Sequence, residues 1–140
     1  HGVPRFYIKG KDVLKTNEKF FVNDLGFRAL FFDNELDIGQ TLENIVYLHL
    51  RKQGYEIFVG KLEDKEIDFI AIRGRVKFYI QVAYLLAEPT TIEREFSPLE
   101  TIDDNYPKMV LSMDPVNRSR NGIIHMNIID YLLTESSDKH

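Results

Sequence analysis

Apolar residues in this chain recur at two different periods, and the switches between those periods mark out its elements. From Asp37 to Gly54, Leu42, Ile45, Val46, His49 and Leu50 return at helical spacing, while Tyr47 and Leu48 widen the apolar face. Asp37 is placed to cap this helix, with Gln40 three residues on in the reciprocal position, and Gly54 is a left-handed stop. Three strand-like runs follow. Tyr55 to Gly60 is short and rich in β-formers. In Glu66 to Arg73, strict alternation puts Ile67, Phe69 and Ala71 on one face and Glu66, Asp68, Ile70 and Ile72 on the other. In Val76 to Tyr84, Val76, Phe78, Ile80, Val82 and Tyr84 face one way and Lys77, Tyr79, Gln81 and Ala83 the other. Gly74 predicts a tight turn that pairs these last two strands antiparallel.

The second half of the chain is punctuated by proline and glycine. Pro89 precedes a helix for which Thr90 and Glu93 form a capping box, and Pro98 predicts a break. Asn105-Tyr106-Pro107 is a loop. Met109 to Met113 is an uncharged strand suited to a sheet interior, and Gly122 opens a further β stretch, Ile123 to Ile128. Asp130 is a cap for a last helical turn, Tyr131 to Leu133, and the polar stretch from Thr134 to His140 is expected to fray. Upstream, Arg5 to Asp24 reads as two strands around Lys9-Gly10-Lys11. The order calls for an α/β domain with helices on the faces of a sheet.

Composition narrows this picture. The chain has 140 residues, 44% of them hydrophobic and 29% charged, enough for one domain with a core. It has no cysteine, so disulfides and thiolate-bound zinc are excluded, which fits a reducing, cytoplasmic setting. No apolar run reaches the ~20 residues of a membrane helix. The first residue is His1, the mark of a fragment or a tag remnant. A net charge of −4 does not suggest a dedicated nucleic-acid binder. The cations are nevertheless grouped: Arg5, Lys9, Lys11, Lys15 and Lys19 in one cluster, Arg73, Arg75 and Lys77 in another. Each cluster reads either as solvated turns or as a phosphate contact.

The chemistry rests on carboxylates in apolar surroundings. Glu66 and Asp68 share a strand face, Gln81 lies on the neighbouring strand, and Glu43 borders the apolar side of the first helix. Glu43, Asp68 and the Gln81 side-chain oxygen are the candidate ligands for Mg²⁺ or Mn²⁺, which would activate water and neutralise a scissile phosphate. The alternative is ordinary surface acids. Gly60-Lys61 lacks the glycines and the Ser/Thr of a phosphate-binding loop, so no ATP site is expected. His49 reads as a packed core histidine. His125 has no partner at useful spacing, and Ser97, Ser112 and Ser119 have no neighbouring base.

Five stretches carry a resemblance: IKGKDVLKTNEKFFVND (8–24), DIGQTLENIVYLHLRKQG (37–54), GKLEDKEIDFIAIRGRVKFYIQVAY (60–84), Glu93 to Phe96 and DNYPKMVLSM (104–113). Together they resemble the C-terminal part of a family of prokaryotic AAA-type ATPases. In that family a P-loop ATPase and a winged-helix-like region precede an uncharacterised domain of the restriction-endonuclease-like PD-(D/E)XK fold. The resemblance implies that residues 1–24 are the tail of the linking region, 25–134 the three-layer nuclease-like domain and 135–140 a disordered tail. It maps Glu43 to the helical acid, Asp68 to the strand aspartate and Gln81 to the (D/E) position. Ala83 stands where active members have lysine, the charge that phosphoryl transfer needs. Lys61, Lys77 and Lys108 are candidate replacements. The implied function is a DNA-engaging or regulatory module with weak or no cleavage, whose partners are its own ATPase domain and DNA. A protein-interaction scaffold and an active metal-dependent nuclease with a relocated lysine are the alternatives.

Overall fold

A computed structural model describes the backbone of residues 2–9, 12–20 and 35–137 and the side chains of 38–134. The turn at Gly10-Lys11, the apolar pair Phe21-Val22 and the side chains of the N-terminal cationic cluster lie outside the described residues.

Strands β1 (Gly2–Lys9) and β2 (Asp12–Phe20) form an antiparallel pair, matching the two strands expected there. Helix α1 (Glu35–Lys52) leads into the antiparallel run β3 (Glu56–Leu62), β4 (Lys65–Arg73) and β5 (Val76–Val82). Helix α2 (Pro89–Glu100) crosses to β6 (Lys108–Ser112), which lies parallel to β5. Strand β7 (Ile124–Asn127) continues parallel to β6 and runs directly into α3 (Ile128–Ser137). β3 to β7 form a five-stranded mixed sheet flanked by helices. β1 joins β3 in parallel at its edge, which gives the order β2-β1-β3-β4-β5-β6-β7.

Two apolar layers hold the helices to opposite faces. On one face Leu42, Val46 and Leu50 of α1, with Ile128 and Tyr131 of α3, pack against Phe69, Ala71, Phe78, Ile80 and Val82. On the other, Phe96 and Leu99 of α2 cover Ile67, Ile70, Tyr79, Ala83 and Val110. Each fully buried aliphatic side chain contributes roughly 1.5–3 kcal/mol. The alternation read from β5 therefore holds from Phe78 to Ala83. The alternation expected in β4 does not, because Ile67 joins Ile70 on the α2 side while Phe69 faces α1. The cause is a register shift: Phe58 pairs with Ile70 but Gly60 pairs with Ile67, so β4 has an extra residue there. Such a bulge resets the in–out phase of the strand.

The helix ends also differ from expectation. α1 already includes Glu35, so Asp37 lies within the helix and not at its cap position. Gly54 adopts φ +91 and ends the helix as expected, and Gly74, at φ +61, makes the two-residue turn between β4 and β5. α2 starts with Pro89 at its first position behind Glu88, with no side-chain cap. Thr90 therefore sits inside the helix, and Glu93 is paired with Arg120 at 2.6 Å. The break expected at Pro98 does not occur: the proline is carried within the last turn and the helix runs on to Glu100. Asn127, not Asp130, caps α3: its Oδ1 accepts the N–H of Ile129 at 2.9 Å. Starting earlier, α3 reaches Ser137, into the stretch expected to fray. Among the described residues no helix is long and apolar enough to cross a membrane.

Candidate functional site

Asp68 sits at the β4 irregularity, directly across from Gln81 in the β4–β5 register, one step beyond the last paired residues, Phe69 and Ile80. Backbone pairing stops there and side chains replace it. Gln81 Oε1 accepts the Asp68 N–H at 2.8 Å, and Asp68 Oδ2 accepts the Val82 N–H at 2.8 Å. Gln81, only 3% exposed, turns its amide nitrogen toward α2 and donates to the Glu95 carbonyl at 3.3 Å. Two side chains thus satisfy backbone N–H groups that the splayed strands would leave unpaired. A buried donor left without a partner costs roughly 1–3 kcal/mol.

Glu43 enters from α1. With Gln40 it lines a cleft of about 540 Å³ whose floor is Val82, Ala83 and Tyr84, and whose far wall is Thr91, Arg94 and Glu95 of α2. Glu95 was not singled out from sequence. Its side chain is 12% exposed, and its carboxylate lies 3.5 Å from the Arg94 Nε. Burial, together with the nearby charge of Glu43 and against the attraction of Arg94, pushes the Glu95 carboxyl up to about 7. A sequence signal for it did exist. Ile92, Glu95, Phe96 and Leu99 occupy i, i+3, i+4 and i+7, so Glu95 lies on the apolar stripe of its own helix.

The structure therefore brings Asp68 and Gln81 into direct contact and places Glu43 near Glu95 across the cleft. Glu66 does not join them. It lines a separate depression with Thr90, Glu93 and Ser97. None of the candidate lysines lines the cleft either. Lys61 pairs across the sheet with Glu66, Lys77 stands over the rings of Tyr79 and Tyr106, and Lys108 donates to Asp104 at 2.9 Å. Among the described residues, the cation lining the cleft is Arg94, 71% exposed.

Two of the three expected ion ligands are partly committed within the sheet. Gln81 Oε1 and Asp68 Oδ2 already accept backbone N–H groups, and Glu43 lies near enough to Glu95 for its charge to bear on that carboxyl. Among the described residues no three histidine or acid side chains converge in a metal-holding geometry.

A second polar cluster was not foreseen. His125 of β7 and Ser112 of β6 meet with Nε2 and Oγ 2.7 Å apart, 5% and 0% exposed. The Arg118 N–H donates to His125 Nδ1 at 3.0 Å, so the ring proton resides on Nε2 and is given to Ser112 Oγ. That oxygen also accepts the Asp114 N–H at 3.0 Å. A base for a serine nucleophile must accept the hydroxyl proton. Here the polarity is reversed, and the cluster anchors the loop between β6 and β7.

The chain is similar to an uncharacterized protein of Haemophilus influenzae, 37% identical over 131 residues that cover 92% of this chain and 32% of that protein. It is also similar to an uncharacterized protein of Methanocaldococcus jannaschii, 42% identical over 66 residues, 44% of this chain and 14% of that protein. No family model and no solved structure matches. The chain spans about a third of the length of the first relative and less of the second.

Proposed function

We propose that this domain is a nuclease-like module of a longer, ATPase-containing protein that engages DNA without cutting it. One observation carries the reading: the two strand residues that the PD-(D/E)XK resemblance assigns to metal binding are used to close the sheet. Asp68 and Gln81 hold each other's strands through backbone N–H groups. Ala83 leaves the neighbouring cleft without an ammonium group at the lysine position. A metal-dependent hydrolase needs free carboxylate oxygens converging on the ion and a positive charge at the phosphate. The length of the Haemophilus relative, about three times the matched region, leaves room for an ATPase portion.

The test is an incubation of the chain with single-stranded, duplex and branched DNA in Mg²⁺ or Mn²⁺, alongside Asp68→Ala. The expected result is retention of DNA with no new termini from either protein. Cleavage by the unaltered chain that Asp68→Ala abolishes would overturn the reading.

A further inference from the structure

The end of the sheet opposite the cleft carries a different charge. The tip of the β4–β5 hairpin and the C-terminus of α1 meet there. Arg73 donates from Nη1 to the Gln53 carbonyl at 2.7 Å and lies 4.3 Å over the ring of Tyr55. This contact sets Arg51 and Lys52, in the last turn of α1, beside Arg73 and Arg75 at the hairpin tip. On the other face of the same hairpin Lys77 stands 4.8 Å over Tyr106, which is 44% exposed. Arg51, Lys52, Arg73 and Arg75 are all exposed.

Among the described residues these cations lack ion-pair partners and lie together, whereas Lys61 and Lys65, also without an ion pair, stand at the other end of the sheet. Elsewhere Arg94, Lys108, Arg118 and Arg120 are each drawn to a carboxylate. Among the described residues, none of the five rim cations forms an ion pair. The described acids at this end are Glu56 and Asp103, both exposed, Asp104, which is tied to Lys108, and Glu100, which is tied to Arg120. Among the described residues, the rim thus gathers five arginine and lysine side chains without ion pairs on rigid elements around one end, with an aromatic ring among them. Helix-dipole stabilisation accounts for cations in the last turn of α1, but not for Arg75 or Lys77 on the hairpin.

We infer that this rim, formed by Arg51, Lys52, Arg73, Arg75 and Lys77, is a phosphate-backbone contact surface for DNA, distinct from the cleft at Glu43 and Glu95. The inference rests on the DNA-engaging reading above and locates its surface. Recognition is by charge, so it is sequence-independent and weakens with salt. Arginine and lysine that neutralise phosphates release counterions, with a slope of log affinity against log salt of about −0.9 per phosphate on duplex DNA.

The test measures binding of a fluorescent 25-base-pair duplex, and of one of its strands alone, to the chain at a series of salt concentrations. It compares the unaltered chain with Lys52→Glu/Arg75→Glu, which touches no packing contact, and with Lys65→Glu. Lys65 is an exposed cation at the far end of β4, roughly 26 Å of strand from Arg73. The rim variant is expected to bind at least tenfold more weakly at low salt, with a slope shallower by about 1.8. Lys65→Glu is expected to stay within about twofold of the unaltered chain. Loss of the single strand alone, with the duplex unaffected, contradicts the inference. If the unaltered chain binds DNA but the rim variant matches it, the rim assignment fails and the DNA-engaging reading stands. Equal losses from both variants also refute the rim, because only net charge would then matter. If the unaltered chain binds neither probe, both readings fail together.

Discussion

Asp68→Ala distinguishes a structural tie from a functional carboxylate, because the two make opposite demands on stability. In the structure Asp68 Oδ2 accepts the Val82 N–H at 2.8 Å, and Val82 is 5% exposed. Truncation removes a charge-assisted acceptor and leaves a largely buried N–H unpaired, a loss of roughly 2 kcal/mol. With a urea dependence of about 2 kcal/mol per molar for a domain of this size, the unfolding midpoint should fall by about 1 M. Asp68→Asn keeps an oxygen for the same N–H and should lose less than half as much. The assay is urea unfolding followed by circular dichroism at pH 7, with the slope checked to be unchanged. Carboxylates held for chemistry are commonly kept at the expense of stability, and removing them stabilises the fold. An Asp68→Ala protein as stable as the unaltered chain, or more so, would refute the structural reading of this pair.

Two further expectations concern pH. The Glu95 carboxyl, raised to about 7 by burial and by Glu43, holds a proton in the folded state that the unfolded chain releases near 4.5. Stability should therefore decline as pH rises from about 4.5 through 7. Glu95→Gln should remove that decline and gain roughly 1–3 kcal/mol at pH 8 but little at pH 4, as read by urea midpoints at both pH values. His125 is shifted the other way, downward, chiefly by burial. Its contribution should be complete above about 6.5 and be lost as pH falls through the lower folded value. Nitrogen NMR at about pH 8, above the ordinary imidazole range, should find the ring proton on Nε2, and a proton on Nδ1 would contradict the hydrogen-bond assignment.

Much of the fold was legible in the sequence because single elements decide their own periodicity. Leu42, Val46 and Leu50 mark the buried face of α1 without reference to any neighbour, and the alternation from Phe78 to Ala83 assigns both faces of β5. Features created by pairing were not legible. The irregularity at Asp68 depends on how β4 meets β3, so Ile67 changed face and Glu66 parted from Asp68. Ser112 and His125 come together only because β6 and β7 are parallel neighbours, across a separation with no local signal. Helix starts moved because a proline at the first position of α2 and Asn127 before α3 outcompeted the expected caps. Of the candidate site, the juxtaposition of Asp68 with Gln81 could be read from strand adjacency. Their commitment to backbone N–H groups, and the place of Glu95 beside Glu43, required the tertiary structure.

The central claim is that Asp68 and Gln81 hold the sheet together and do not hold an ion. Amide hydrogen exchange at Asp68 and Val82, followed by NMR with and without millimolar Mn²⁺, tests it most directly. Both N–H groups should be protected to the level of their strand neighbours, and Mn²⁺ should leave their resonances unbroadened. Fast exchange at these two amides, or strong paramagnetic broadening centred on them at low Mn²⁺, would contradict the account.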